Sequence, residues 1–222
     1  LVRYAFLSLE KSWSNSFLVL AWNSFLLAGI TAIVTVLVAL FLCYGRRFSG
    51  QSFLILSRIV VLGYAVPGAV LAIGVLIPFA WFDNVISDFF LNYLGFSTGL
   101  IFSGSIFCLV FAYLVRFLAI GFTGIEASLS KIGRSIDLAA RTLGSKPHKT
   151  LWKIHLPLIR GGVLAAATLV FVDTMKELPA TLILRPFNFD TLATHVYQLA
   201  SDELLEQSAL AALTIVLVGI LP

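Results

Sequence analysis

From Phe25 to Tyr44 the chain runs for twenty residues without a charged side chain. About twenty apolar residues is what a helix needs to cross a hydrocarbon core of ~30 Å with every backbone N–H and C=O bonded internally. Ile59–Phe82 is a second uncharged run, interrupted by Pro67-Gly68 and Pro78. Gly99–Phe122 is a third, with Arg116 near its end. Gly161–Val172 restarts an apolar helix, which Asp173, Lys176, Glu177 and Pro179 interrupt before Ala180–Leu184. Ala209–Pro222 opens a last run. Between these segments, Asp83–Ser97 reads as a loop and Asp190–Gln207 as a polar, acidic connection. Charged residues make up 12% of the chain, against about a quarter in soluble domains, and mean hydropathy is +1.00. The expectation is an all-α membrane bundle of about five transmembrane helices, with 1–222 a single transmembrane domain. Its first residue is Leu1 rather than Met and it stops in mid-run, so both ends read as cut and the last helix as truncated. Cys43 and Cys108 sit inside apolar runs without metal or disulfide spacing, and read as small buried hydrophobes.

The cations set the orientation. One side of the membrane receives Arg46, Arg47, Arg58, Lys131, Arg134, Arg141, Lys146, Lys149, Lys153 and Arg160, and the other only Arg3, Lys11, Lys176 and Arg185 with most of the acids. Cytoplasmic loops carry the Lys/Arg excess, so the first span runs out-to-in and the 127–160 loop is cytoplasmic. The net charge of +4 then reflects topology and gives no reason to expect nucleic acid as a partner. Within the loop, Asp137 suits the positive end of a helix and Leu138–Leu143 is good helix material. Gly144 permits a left-handed C-cap. Ser145 can N-cap a second helix, with Pro147 in its first turn, running to about His155. Pro157 is expected to break that helix and redirect the chain. The segment predicts a helix–glycine–helix lever lying along the membrane surface.

Ala139-Ala140, then Gly144 four residues on, then Ile154-His155-Leu156-Pro157 after nine more, resemble the EAA signature of binding-protein-dependent ABC-importer permeases. That signature reads E-A-A, three residues, G, nine residues, I-x-L-P. Leu138 stands where the signature has its Glu, and Asp137 lies one place early. The resemblance implies a coupling helix that inserts into a groove of an ATPase subunit. The implied coupling residues are Asp137, Leu138, Ala139, Ala140, Leu143, Gly144, Ile154, Leu156 and Pro157. Ala139 and Ala140 would allow close approach, Leu143 would be an apolar knob and Gly144 would set the angle. The implied partners are a dimer of ATPase subunits, a periplasmic solute-binding protein, a second permease half (fused or separate) and the lipid bilayer of a bacterial inner membrane. An amphipathic loop that only lies on anionic lipid is the alternative, but it needs no Gly or I-x-L-P at fixed positions. The sequence holds no G-x-x-x-x-G-K-[ST], H-E-x-x-H, G-x-S-x-G or C-x-x-C. It therefore reads as a transport subunit rather than an enzyme, with no cofactor of its own, ATP being used by the partner subunit.

The cargo is addressed by Met175–Ala193, MKELPATLILRPFNFDTLA, with Tyr64–Val70 and Val196–Ala200 beside it. These stretches resemble the second half of ferric-iron permeases, and ferric iron is what that resemblance implies. A permease for thiamine, phosphonate or sulfate is the alternative within the superfamily. A secondary transporter without an ATPase is the alternative outside it, and predicts inverted repeats or a buried ion relay. Ionisable residues at membrane depth are expensive and mark function by default. Asp173, Lys176 and Glu177 are spaced i, i+3, i+4, so a helix would set them on one face with Lys176 paired to Asp173. Pro179 then breaks the helix, and Pro67-Gly68 kinks the second span. These six residues (Pro67, Gly68, Asp173, Lys176, Glu177 and Pro179) form the candidate gate or pathway. Glu177, Asp190 and Tyr197 offer the oxygens a hard ferric ion prefers, but a gate rather than a tight metal site is the role assigned, since the binding protein supplies selection. Asp190, Asp202, Glu203 and Glu206 read as a solvated outer loop or docking surface, and Arg116 as a snorkelling cation.

Overall fold

A computed structural model describes residues 2–7, 13, 15–48 and 51–220, with the side chains of 5–7, 51–54 and 56 left aside. Among the described residues all regular structure is helical. In chain order the elements are α1 Val2–Leu7, α2 Asn15–Phe48, α3 Gln51–Ala65, α4 Gly68–Leu94 and α5 Ile106–Ser130. There follow α6 Arg134–Thr142, α7 Pro147–Thr150, a π turn Leu151–His155, α8 Leu156–Met175, α9 Pro179–Leu184, α10 Leu192–Ser201 and α11 Leu205–Ile220. Among the described residues four helical runs are long and apolar enough to span a membrane: α2, α4, α5 and the continuous stretch Pro147–Met175, while α11 is a shorter apolar helix.

α2, α5 and α8 pack on one another and form the centre, with α3 laid on α5 and α9 on α4. Lipid is as apolar as a leucine side chain, so helices associate in a bilayer through close packing and small residues. That is how this centre is built. A β-carbon on Gly63 of α3 would lie 2.2 Å from the Val115 carbonyl oxygen of α5, and one on Gly162 of α8 only 1.8 Å from Ser128 Oγ of α5. Around these approaches lie two apolar clusters. One gathers Leu109, Ala112, Tyr113 and Phe117 of α5 with Leu71 and Val75 of α4 and Val170 of α8. The other gathers Val36, Ala39 and Cys43 of α2 with Phe122 and Ile125 of α5 and Ile159 and Ala166 of α8. Cys43 and Cys108 are both buried free thiols.

Three expectations are corrected. Asp83–Ser97 is not a loop: α4 continues to Leu94 and ends at Gly95 in a left-handed C-cap. Asp83, 1% exposed, points inside and accepts the backbone N–H groups of Ile101, Phe102 and Ser103 at 3.0, 2.8 and 2.7 Å, as well as the Ser103 hydroxyl. An isolated acid in an apolar run thus anchors the turn into α5. The Asp190–Gln207 connection contains a whole helix, α10, which packs on α11. Its N-terminus is closed by a capping box between Thr191 and Thr194. Pro157 does not redirect the chain. It sits in the first turn of α8, and the preceding π turn, with Leu156 N–H on the Leu151 carbonyl, carries the helix through without a break. A wider turn just before a proline accommodates the missing donor.

Asp83→Asn replaces an acceptor-only carboxylate with a group that carries donors of its own. Hydrogen bonds to a charged acceptor contribute about 1.5–3 kcal/mol each, so the variant is expected to lose about 2 kcal/mol. A lower melting temperature in detergent checks this.

Candidate gate and coupling surface

α6 is tied down along one side. Arg47, near the end of α2, places Nε 2.8 Å from Asp137 Oδ2 and donates from Nη1 to the Leu129 carbonyl and from Nη2 to the Ile132 carbonyl, both at 2.9 Å. Those carbonyls close the C-terminal end of α5, where the helix dipole is negative and a cation is favoured. Asp137 also lies 3.0 Å from Nε2 of the fully buried His155. Tyr44 donates to the Pro147 carbonyl at 2.6 Å, Arg46 pairs with Glu126, and the Arg141 guanidinium sits 5.1 Å over the Phe48 ring. A cleft of about 400 Å³ runs between these parts, lined by Arg47, Phe48, Arg134, Asp137, Leu138 and Arg141.

The far end of α6 closes in a Schellman motif. Ser145 N–H bonds the Ala140 carbonyl and Gly144 N–H the Arg141 carbonyl, both at 2.9 Å, with Gly144 at φ +74°. Ser145 does not cap the next helix. Lys146 holds that position without a side-chain cap, and Ser145 Oγ accepts from Thr150 Oγ1 at 3.0 Å. Of the residues singled out in this loop, Leu138 (62% exposed) and Leu143 (86% exposed) stand clear of the protein. Ala139 and Gly144 are exposed beside them, and so is Pro157. Ile154 and Leu156 are half-buried, whereas Ala140 and Asp137 face inward. The arrangement is a clamped helix with one apolar edge left open.

The second site lies deeper. α8 ends at Met175, so Asp173, Lys176 and Glu177 do not share one face. Lys176 pairs outward with Asp173 at 2.7 Å, while Glu177 turns into the bundle at 7% exposure. There its Oε2 lies 3.1 Å from Nε of Arg116, and its Oε1 accepts the Ala180 N–H at the start of α9 at 3.3 Å. Arg116 therefore does not snorkel. It stands near the middle of α5, and its Nη1 donates to the Val66 carbonyl at 2.9 Å, just where α3 gives way to α4. A β-carbon on Gly68 would lie 2.5 Å from Glu177 Oε1 and 3.1 Å from Arg116 Nη1, so only glycine leaves room for the pair. Next to it, the buried Tyr113 hydroxyl meets the Thr181 hydroxyl, which also bonds the Glu177 carbonyl. Two helix breaks, at Val66–Pro67 and at Lys176–Leu178, thus meet on one ion pair.

The oxygen donors considered for iron are engaged or apart. Glu177 is held by Arg116 and Ala180. Asp190 is paired with Arg185 and receives the Thr194 hydroxyl. Tyr197 is on the exposed side of α10. Among the described residues no group of three or more His, Cys, Asp or Glu side chains is placed to hold a metal ion.

Residues 35–222 match the family model of the binding-protein-dependent transport system inner membrane component. The chain belongs to this family. It is a multi-pass inner-membrane permease subunit, of a kind without a catalytic site. It is 31% identical over 217 residues to the Fe(3+)-transport system permease protein FbpB 2 of Haemophilus influenzae, covering 97% of this chain and 40% of that protein. Over 165 residues it is 27% identical to the 2-aminoethylphosphonate transport system permease protein PhnV of Salmonella typhimurium, covering 74% of this chain and 56% of that one. The chain thus spans less than two thirds of either relative. Among solved structures, a bacterial alginate ABC transporter in complex with an alginate-bound periplasmic protein superposes with a TM-score of 0.72 at 15% identity, over 97% of this chain and 78% of that one. The inward-facing methionine transporter MetNI gives 0.61 at 18% identity, over 93% and 94%. At these identities the likeness is one of fold.

Two residues of this permease subunit carry more than the sequence assigns them. Arg47 reads as one of several topology-setting cations and Arg116 as a snorkelling one. The signal for Arg116 is its depth: a charge this far inside an apolar run has no short way to water. For Arg47 the partners are remote, Asp137 being 90 residues away, and no local spacing announces them. Arg47→Ala removes the clamp and leaves Asp137 with only His155 beside it, so residues 131–143 are expected to be cut by protease in the detergent-solubilised protein well before any other segment. Gly144→Ala forces a left-handed alanine, at a cost of about 1–2 kcal/mol, and should loosen the same segment without removing any contact.

Proposed function

We propose that this chain is the transmembrane half of an ATP-driven importer, that a dimer of ATPase subunits docks on its 137–157 loop, and that its cargo is ferric iron handed over by a periplasmic binding protein. The observation that carries the coupling reading is the open edge of α6. Leu143 at 86% and Leu138 at 62% exposure protrude at the aqueous, basic end of a helix whose other side is clamped. Burying a leucine contributes roughly 1.5–3 kcal/mol, and a rigid mount preserves that gain by sparing the entropy of ordering the loop. Leu138, Ala139, Leu143 and Gly144 supply the surface in this reading, with Ile154, Leu156 and Pro157 at the base of α8 behind it. Asp137 and Ala140 hold the surface in place from within.

The ferric assignment is supported by the similarity to FbpB 2 across nearly the whole chain and by the 175–193 stretch. Phosphonate is the second reading, favoured by the similarity to PhnV. The two breaks joined by Arg116 and Glu177 act as the gate, with Pro67, Gly68 and Pro179 as its bending points and the Asp173–Lys176 pair at its rim. A second permease half, fused or separate, completes the pathway.

Leu143→Glu places a charge where an apolar contact is required. It is expected to weaken copurification of the ATPase about tenfold or more and to abolish uptake, with the permease still inserted. Undiminished ATPase association in a Leu138→Glu/Leu143→Glu variant would overturn the coupling reading. For the cargo, deletion of the gene should remove uptake of ferric iron and spare 2-aminoethylphosphonate. The reverse pattern moves the assignment to phosphonate.

A further inference from the structure

We infer that Arg116 is the residue that meets the cargo as it passes the gate, and that the species crossing there carries net negative charge: an oxyanion, or ferric ion clothed in oxyanion ligands. This deepens the gate reading above and rests on it. The inference comes from how the two members of the ion pair are used. Glu177 is spent: one oxygen is held by Arg116 Nε and the other by the Ala180 N–H, and its side chain is 7% exposed. Its charge is already matched by Arg116 and its carboxylate is buried, so a passing cation finds little uncompensated charge there. Arg116 is not spent. Nε faces Glu177 and Nη1 the Val66 carbonyl, while Nη2 has no partner among the described residues. The side chain keeps 19% exposure. A guanidinium has five N–H donors in a fixed fork and no acceptor, so its unused edge binds oxyanions and repels metal ions. Its pKa is too high for it to escape by losing its proton.

The position gives that edge a role. Arg116 stands at the meeting of both helix breaks, with the bare Cα of Gly68 beside it. Movement of either break frees more of its donors. The Phe117 ring, 5.8 Å from the guanidinium carbon, stabilises the charge from the side.

The test is uptake into proteoliposomes holding the complete transporter, with its ATPase and binding protein. The radiolabelled probes are ferric citrate, 2-aminoethylphosphonate, manganese(II) and maltose. The variants are wild type, Arg116→Lys and Arg116→Gln/Glu177→Gln. The double variant removes both charges together and leaves no buried ion unpaired, so it separates cargo contact from structural pairing. The expected result is that wild type accumulates ferric citrate or the phosphonate. The double variant should lose about tenfold or more of that uptake, as removal of a charged hydrogen bond predicts, while it remains monodisperse and keeps its ATPase bound. Arg116→Lys, which keeps the charge without the fork, should fall between. Wild-type uptake in the double variant overturns the inference and leaves Arg116 a structural counterion. Accumulation by wild type of only manganese or maltose also overturns it. Accumulation of the phosphonate alone overturns the ferric reading and keeps the anion.

Discussion

A backbone that breaks inside hydrocarbon must be satisfied by its own protein, because no water is there to do it. This permease breaks its backbone twice at depth, and one guanidinium–carboxylate contact serves both places. Arg116 donates to the Val66 carbonyl at the first break, and Glu177 accepts the Ala180 N–H at the second. The Thr181 hydroxyl takes the Glu177 carbonyl, and the Leu71 N–H takes the Pro67 carbonyl. Burying two charges costs several kcal/mol each, and their attraction rarely returns more than that. An apolar pair of the same volume would hold the helices together as well. What the ion pair adds is a contact that is strong when made and costly when half-made.

The basic end solves a different problem. A loop that offers a docking surface, as proposed for this one, needs a rigid mount and a free face. Arg47 answers the first need by joining α2, the end of α5 and α6 with one side chain, and the contact of Asp137 with His155 extends the clamp to the root of α8. Ala140 closes the inner side. With that side fully used, Leu138 and Leu143 are left on the other. The acid one place early of the family signature has a physical sense in these terms. At 137 a carboxylate reaches Arg47; at 138 the same helix would carry it outward.

Most of the long helices, the Schellman glycine and the all-helical bundle were legible because they rest on local rules, an uncharged run of sufficient length and a glycine after a helix, whereas the run expected as one span kinked at Pro67-Gly68 is divided between α3 and α4. The Asp173–Lys176 pair was legible for the same reason, being one helical turn apart. Contacts set by packing were not. Asp83 looked like the start of a loop because a lone acid usually is one, and its N–H donors come from a turn some twenty residues on. Glu177 looked like a third member of a helical face until α8 stopped at Met175 and the side chain turned inward. Pro157 looked like a breaker because its missing donor is visible in sequence, whereas the π turn that accommodates it is not. In each case the local rule was sound and a longer-range partner outweighed it.

The two candidate sites are joined by a single element. The stretch Pro147–Met175 is one helical run of 29 residues, about 43 Å long at 1.5 Å per residue, with the α6–α7 loop at its start and Glu177 just past its end. Its π turn and Pro157 lie at the loop end, where His155 touches Asp137, and the rest of the run is regular helix. Close-packed helices move against one another as bodies rather than by bending. The small residues at the α5–α8 contact, Gly162 against Ser128 and Gly124 against Ala166, bring the two helices into close approach. The helix that begins at the 137–157 loop thus ends within two residues of Glu177, so the two candidate sites share one continuous element.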